Sequence, residues 1–489
     1  MHALAYSLFP ILNVLGLVVM LFAATMLVPL GVALVGGDKA LVAYDNAFLI
    51  TLASGAVMWF VTRRFKRELL PRDGFLLVSL VWTTLPAFAT LPLIFHLPGL
   101  SFTDAYFEAM SGLTTTGATV LTGLDALPPS INVWRCLLQW LGGMGVIVLA
   151  VAILPLLGVG GTQLFRAESA GPIKDTKLTP RIAETAKGLW AVYALLSVAC
   201  LIAYRAGGMS WLDAMMHMFT TMSLGGLSPH DASFAYFQSP LLEWIAVVFM
   251  LIASCNFALY FLVWRKRSIG VWLSDIEARG TIVVMVAGSL AVAVFLYWHE
   301  VYADWATALR HAAFNVVSIA STTGYASTDF NQWPTFAPWL MLFLCGLATS
   351  AGSTGAGIKM IRFIVLIKQA QREMLRVLHP RIVNPVHIRN AIVENNVIFA
   401  VLAFMLVYGA SVIGLTMLLT LSGLDIITAF SAIVACINNM GPGLNQVGPA
   451  SNYAVLNDFE TWVCTFAMLI GRLELMSVLV LFTPAFWRK

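Results

Sequence analysis

Four short polar runs, each carrying a glycine and each set between two long apolar segments, recur along this chain at intervals of about a hundred residues. They are Ser111 to Val120 (SGLTTTGATV), Thr221 to Ser228 (TMSLGGLS), Ser321 to Ser327 (STTGYAS) and Asn438 to Leu444 (NNMGPGL). Taking Gly117, Gly225, Gly324 and Gly441 as equivalent makes the repeating unit an apolar helix, a polar glycine turn and a second apolar helix. Polar backbone set this deep in apolar sequence must be satisfied by protein or by water in a cavity, because lipid offers it nothing.

The flanking segments are of bilayer length, about 20 residues or more. They run over roughly 7–34, 43–62, 73–97, 135–165, 188–206, 239–264, 280–299, 335–367, 396–422 and 461–484. Of the 489 residues, 60% are hydrophobic and 11% charged, whereas soluble domains carry about a quarter charged. The expected fold is therefore an all-α polytopic membrane protein with ten transmembrane helices. Four shorter apolar segments, each ending in a glycine turn, are too short to cross and are expected as re-entrant half-helices. The chain divides into a two-helix preamble (1–70) and four pore repeats (71–165, 166–264, 265–370, 371–489). The N-terminus has neither a basic start nor a small-residue cleavage site, so it is expected to remain as the first span. Six isolated cysteines read as small buried hydrophobes.

Lysine and arginine cluster in Arg63–Arg72, Arg166–Lys187, Arg265–Arg279, Lys368–Arg389 and the terminal Arg488 and Lys489. A ten-span arrangement puts all five clusters on one side, the cytoplasm. Both termini are then cytoplasmic, and the four turns enter from outside. The outer face carries acids instead: Asp104, Glu108, Asp125, Asp213, Asp231, Glu300, Asp304, Asp329, Asp425 and Asp458. These are either ordinary solvated loop charges or a vestibule that concentrates cations.

Half-helices entering from outside aim their partially negative C-terminal ends at a common centre, which favours a cation. Asp104, Asp213 and Asp425 near their starts read as N-caps. An extended glycine turn exposes carbonyl oxygens, and the hydroxyls of Thr115, Thr116, Thr322, Thr323 and Ser223 add oxygens and backbone partners. Oxygen donors without clustered carboxylates suit a hard, monovalent cation.

With these residues in view, the chain resembles the membrane subunits of bacterial Trk-type potassium uptake systems, the TrkH and TrkG group, in the superfamily that also holds Ktr and plant HKT transporters. The resemblance extends over essentially the whole chain. It implies a potassium filter built on Thr115, Thr116 and Gly117; Ser223, Leu224 and Gly225; Thr322, Thr323 and Gly324; and Asn439, Met440 and Gly441. The second and fourth turns lack the paired threonines, which leaves open whether Gly225 or Gly226 is the aligned glycine. The resemblance also implies a homodimer in the lipid of the bacterial inner membrane and a cytoplasmic TrkA-like nucleotide-binding regulatory ring docked on the basic loops. The chain itself carries no P-loop or dinucleotide fingerprint. No organic cofactor and no nucleic acid are expected on it, and potassium is the expected ion.

The segment 335–367 spans about 50 Å as a continuous helix, against about 30 Å of hydrocarbon. Its middle, GLATSAGSTGAGIK, contains Gly346, Gly352, Ser353, Thr354, Gly355 and Gly357. Such a run is a poor helix former and is expected to be either a mobile loop obstructing the pore below the filter or a small-residue packing face. The family resemblance implies a gate. Arg472, inside the last span, costs roughly 2.5–3.5 kcal/mol to insert at a bilayer centre, so it is expected to face protein or the loop, forming a barrier with it. Lys359 and Arg362 either contact the pore directly or, as expected in preference, snorkel to the cytoplasmic interface. GGMG (Gly142–Gly145) and GVGG (Gly158–Gly161) read as close helix packing.

The leading function is potassium uptake, driven by a membrane potential whose 100 mV is worth roughly 2.3 kcal/mol per charge. The alternative, a secondary transporter of another cation or a small solute, predicts inverted halves, whereas these repeats run in one direction. A membrane enzyme is disfavoured: the eight histidines show no HExxH spacing and no Ser, His and acid set converges. His217 and His311, on half-helices, read as packing residues.

Overall fold

The computed structural model describes residues 2–65, 69–152, 182–388 and 391–488. Among the described residues, the regular structure is helical apart from a two-residue antiparallel ladder, His387–Ile388 against Ala391–Ile392. Six helical stretches among the described residues are long and apolar enough to cross a membrane: Leu8–Gly36, Leu41–Thr62, Arg72–His96, Ala186–Ala206, Ile276–Trp298 and Asn395–Leu421. The first of these is interrupted near Met26.

Not every apolar window is a straight span. Pro240–Ala253 meets Phe257–Lys266 at 85°, and Asp458–Arg472 meets Leu475–Phe482 at 111°. Phe336–Cys345 is separated from Met360–Leu378 by unwound chain. Hydrophobicity adds along the chain whatever its direction, so the windows could not register these bends. Local chemistry makes them: Asn256 caps a new helix by accepting from the Ala258 N–H at 2.9 Å, and Glu474 adopts a left-handed φ of 59° that ends one helix before the next begins.

The architecture is thus an outer spanning helix, a half-helix and an inner helix, four times over. The half-helices are Phe102–Leu113, Trp211–Met222, Trp305–Ala320 and Ile426–Ile437. Three of them have 12 residues and Trp305–Ala320 has 16, which makes about 18 to 24 Å of helix, short of a bilayer. Their starts use two devices. Ser101 and Ser210 are the N-caps of the first two, each accepting at 3.0 Å from the N–H of Asp104 or Asp213. Asp304 and Asp425 themselves cap the last two. Asp104 and Asp213 therefore sit in the first turn and are not the caps the sequence suggested, because a serine three residues earlier reaches the free amide first.

The preamble helices His2–Thr25 and Leu41–Thr62 cross at Gly16 and Gly55, where a methyl on Gly16 would lie 2.9 Å from the Gly55 carbonyl oxygen. This is small-residue packing suited to lipid. Large apolar side chains such as Leu21, Val35 and Leu421 face outward, while Glu108, Arg135, Gln139, Asn315 and Arg472 are buried, the distribution expected of a bundle solvated by lipid. All six cysteines are buried free thiols.

Candidate functional site

The four turns are the same piece of backbone. Each half-helix is followed by a cap residue (Thr114, Ser223, Ser321, Asn438) and then by a residue forced to positive φ: Thr115 at 54°, Leu224 at 53°, Thr322 at 64° and Asn439 at 49°. Two positions further on comes a glycine at positive φ: Gly117 at 84°, Gly226 at 74°, Gly324 at 87° and Gly441 at 94°. Between them, the N–H groups of Thr116, Gly225, Thr323 and Met440 bond back to Ser111, Thr220, Ser318 and Ala435 at 2.8–2.9 Å. The second turn is therefore Leu224, Gly225, Gly226. Reading it as Ser223, Leu224, Gly225 is displaced by one residue. The sequence offers two adjacent glycines, and only the conformation, φ > 0 at the second, distinguishes them.

The turns close on one another. A methyl group built on Gly117 would overlap the carbonyl oxygen of Gly225, on Gly226 that of Thr323, on Gly324 that of Met440, and on Gly441 would lie 2.8 Å from that of Thr116. Four equivalent carbonyls are thus each wedged against the glycine of the preceding turn, and the cycle returns to its start. All four of these glycines line one cavity, together with Arg135, His230 and Asp231.

Side chains fasten neighbouring turns. Between the first and second, Glu108 and Arg135 form a buried pair at 2.7 Å, each 1% exposed. Glu108 also accepts from the Val120 N–H at 3.1 Å and the Thr119 hydroxyl, and Arg135 donates to the Ser228 carbonyl at 3.2 Å. Glu108 is therefore an internal brace and not an outer-face acid. Its helical register did not signal this, since four residues on from Asp104 it shares that residue's face. Arg135 went unread because one arginine in an apolar window carries no signal of its partner. The Tyr325 hydroxyl of the third turn lies against Thr220 and Thr221 of the second half-helix. Asn439 of the fourth donates to the Thr116 hydroxyl at 2.9 Å, and Tyr453 to the Gly441 carbonyl at 2.8 Å. The threonine hydroxyls work inside the turns: Thr116 bonds Thr114 and Thr323 bonds Ser321, both at 2.7 Å. His217 lies among Phe234, Phe237 and Tyr325, and His311 bonds Ser327, as packing residues.

Gly346 to Lys359 is unwound and packs against the helical ends of the turns. The Thr354 hydroxyl donates at 3.1 Å to the carbonyl of Met222, the last residue of the second half-helix, and the Ala356 N–H donates at 3.2 Å to the Thr322 hydroxyl. The loop folds on itself through Ile358 N–H to Gly346 at 2.7 Å and Met360 N–H to Thr349 at 2.8 Å. The buried Glu277 carboxylate accepts from Ala351 N–H at 2.7 Å and Ile361 N–H at 3.2 Å, holding both ends. Arg472, 4% exposed, donates to the Thr354 carbonyl at 2.8 Å and the Gly142 carbonyl at 3.2 Å. Glu474 pairs with Arg362 at 3.0 Å, not with Arg472. Lys359 donates to the Gly355 carbonyl, and Lys359, Arg362, Arg472 and Glu474 line one cavity. Lys359 thus folds back on the loop, while Arg362 pairs with Glu474 and lies over the Phe404 ring. Gly142 packs as expected, against the Leu113 carbonyl, but also supplies an acceptor to Arg472. GVGG lies outside the described residues.

In the lining of the cavity that the four glycines share, His230 bonds Asp125 at 2.5 Å and lies 3.4 Å from Asp213. Burial opposes its charge, yet the bonds and charges of Asp213 and Asp125 outweigh burial and hold its pKa above the ordinary value. Asp125 is held low: its hydrogen bonds to His230 and to the Asp231 N–H overcome the effect of burial. Part of the outer acidity is therefore internally neutralised. Among the described residues, no group of three or more His, Cys, Asp and Glu side chains is arranged to hold a metal ion.

Comparison with known proteins gives one answer from three directions. Residues 42–489 match the family model TrkH, described as a cation transport protein. The Trk system potassium uptake protein TrkH of Salmonella typhimurium is 46% identical, over 98% of this chain and 99% of the relative. The Trk system potassium uptake protein TrkG of Escherichia coli is 38% identical, over 97% of each. The crystal structure of the potassium transporter TrkH from Vibrio parahaemolyticus superposes with a TM-score of 0.91 at 43% identity, covering 98% of this chain and 99% of that one.

Proposed function

The chain belongs to the TrkH family of cation transport proteins, and from that membership together with the ring of turns we propose that it takes up potassium through a filter of backbone carbonyls. The observation that carries this reading is the cyclic closure, in which the carbonyls of Thr116, Gly225, Thr323 and Met440 alternate with four glycines around one axis. A ring of carbonyls replaces the hydration shell of a dehydrated cation, and four half-helix C-termini add negative potential there. The ligand set is Thr115–Gly117, Leu224–Gly226, Thr322–Gly324 and Asn439–Gly441, and potassium is cargo, not cofactor.

Gly346–Lys359 acts as the gate and Arg472 as its latch. The guanidinium holds the Thr354 carbonyl, and the cationic head group itself repels a cation leaving the filter. The protein works with other Trk components: a second copy as a homodimer and a TrkA-like nucleotide-binding ring on the basic loops, in the bacterial inner membrane with both termini in the cytoplasm. The test is growth at low potassium of a strain without its own uptake, carrying wild type or Gly117→Asp. Rescue by wild type alone supports the filter; equal rescue refutes it.

A further inference from the structure

At the second turn, among the described residues, a side chain donates to the wedged ring carbonyl itself, as none does at the other three. Gln139, on the inner helix Pro129–Ala152, is fully buried. Its Nε2 donates to the Gly225 carbonyl at 2.7 Å and its Oε1 accepts from the Leu227 N–H at 3.1 Å. A single amide therefore grips the backbone on both sides of Gly226. A methyl on Gly225 would overlap that amide, so Gln139 occupies the space that a side chain at position 225 would take. The corresponding residues of the other turns, Thr116, Thr323 and Met440, keep side chains of their own. Among the described residues, no side chain donates to their carbonyls. The fourth repeat supplies the comparison. Gly142 and Gly471 press on the carbonyls of Leu113 and Ile437, the last residues of their half-helices, and three residues before them stand Gln139 and Met468. The same helix position thus holds an amide in one repeat and a thioether in another.

We propose that Gln139 is a positioning residue that sets ion selectivity by pinning one of the four ring carbonyls, an inference that rests on the reading of the turns as a potassium filter. A smaller cation such as sodium is well coordinated only if the carbonyls close in around it, and carbonyl mobility and field strength decide between the two ions. The Gly225 oxygen is tethered from behind by the amide and shares its electron density with that donor, so it cannot follow a smaller ion inward. The tether needs a donor and an acceptor together, which the neutral amide always carries; an apolar group supplies neither and an ionised carboxylate only the acceptor.

The test measures potassium and sodium uptake separately in cells lacking their own potassium uptake, for wild type, Gln139→Leu, Gly225→Thr and the double variant Gln139→Ala with Gly225→Thr. Gln139→Leu is expected to retain potassium flux while its potassium-to-sodium ratio falls about threefold to tenfold, the span that one lost hydrogen bond supports. Gly225→Thr alone is expected to lose flux through overlap with the amide. The double variant is expected to recover it, since threonine then fills the vacated space as in the first and third turns. A merely structural role lowers both fluxes together and leaves the ratio unchanged. An unchanged ratio in Gln139→Leu, or a double variant no better than Gly225→Thr, overturns the proposal. If wild type itself fails to distinguish the ions, the filter reading falls, and this inference with it.

Discussion

A methyl group on Gly226 has nowhere to go: it strains a backbone at φ 74° and strikes the Thr323 carbonyl. Gly226→Ala is therefore expected to cut potassium uptake by about fivefold or more, the size of effect that a strain of about one to three kcal/mol implies. Gly31→Ala, a helical glycine with open space around it, is expected to leave uptake unchanged. Radiotracer uptake at matched expression checks both. His230 gives a pH prediction. Its pKa is raised in the fold, so its contribution to stability is complete below the ordinary value near 6.5 and is lost as pH rises through the raised one. The Asp125 side of the pair has the opposite sign, present above the ordinary value near 3.8 and lost as pH falls through its lowered one. The thermal stability of wild type over His230→Gln is expected to be greatest in mildly acidic buffer and to shrink above neutrality. A difference that is the same at about pH 5.5 and about pH 9 contradicts this assignment.

The intramembrane loop is the element proposed as the gate, and the bonds that dock it from outside include those of Ser254, Phe257, Glu277, Met222, Thr322 and Arg472. Shortening it within Gly352–Gly357, or Arg472→Ala, is expected to raise potassium conductance severalfold in patch recordings; unchanged current in both refutes the gate. The sequence made this element legible through its glycine density and its excess length, and it marked Arg472 through the cost of a buried arginine. It did not reveal where the loop docks, because Glu277 and Met222 lie 74 and 132 residues from the loop residues they hold and nothing in a linear pattern couples them. The half-helices were legible for the same reason as the spans, from apolar length and polar ends. Their fastening was not: Glu108 with Arg135, and Gln139 with Gly225, are single polar residues in apolar windows whose partners only the fold brings near. The bends in the inner helices escaped because Asn256 and Glu474 end helices by local conformation without interrupting hydrophobicity.

At the scale of the whole molecule, four repeats contribute one turn each to one ring, and each turn touches the next, so no repeat is complete alone. Damage to any one turn should therefore degrade the same property. The outward apolar surface and the buried polar core describe a protein whose solvent is lipid, and fusing a cytoplasm-active reporter to Lys489 is expected to give signal if the basic clusters face the cytoplasm. The most direct test of the central claim is the potassium-to-sodium uptake ratio of four single variants, Gly117→Ser, Gly226→Ser, Gly324→Ser and Gly441→Ser, in cells with no other potassium uptake. The account predicts that all four lower the ratio; a variant in any one turn that transports at wild-type rate with wild-type selectivity would contradict it.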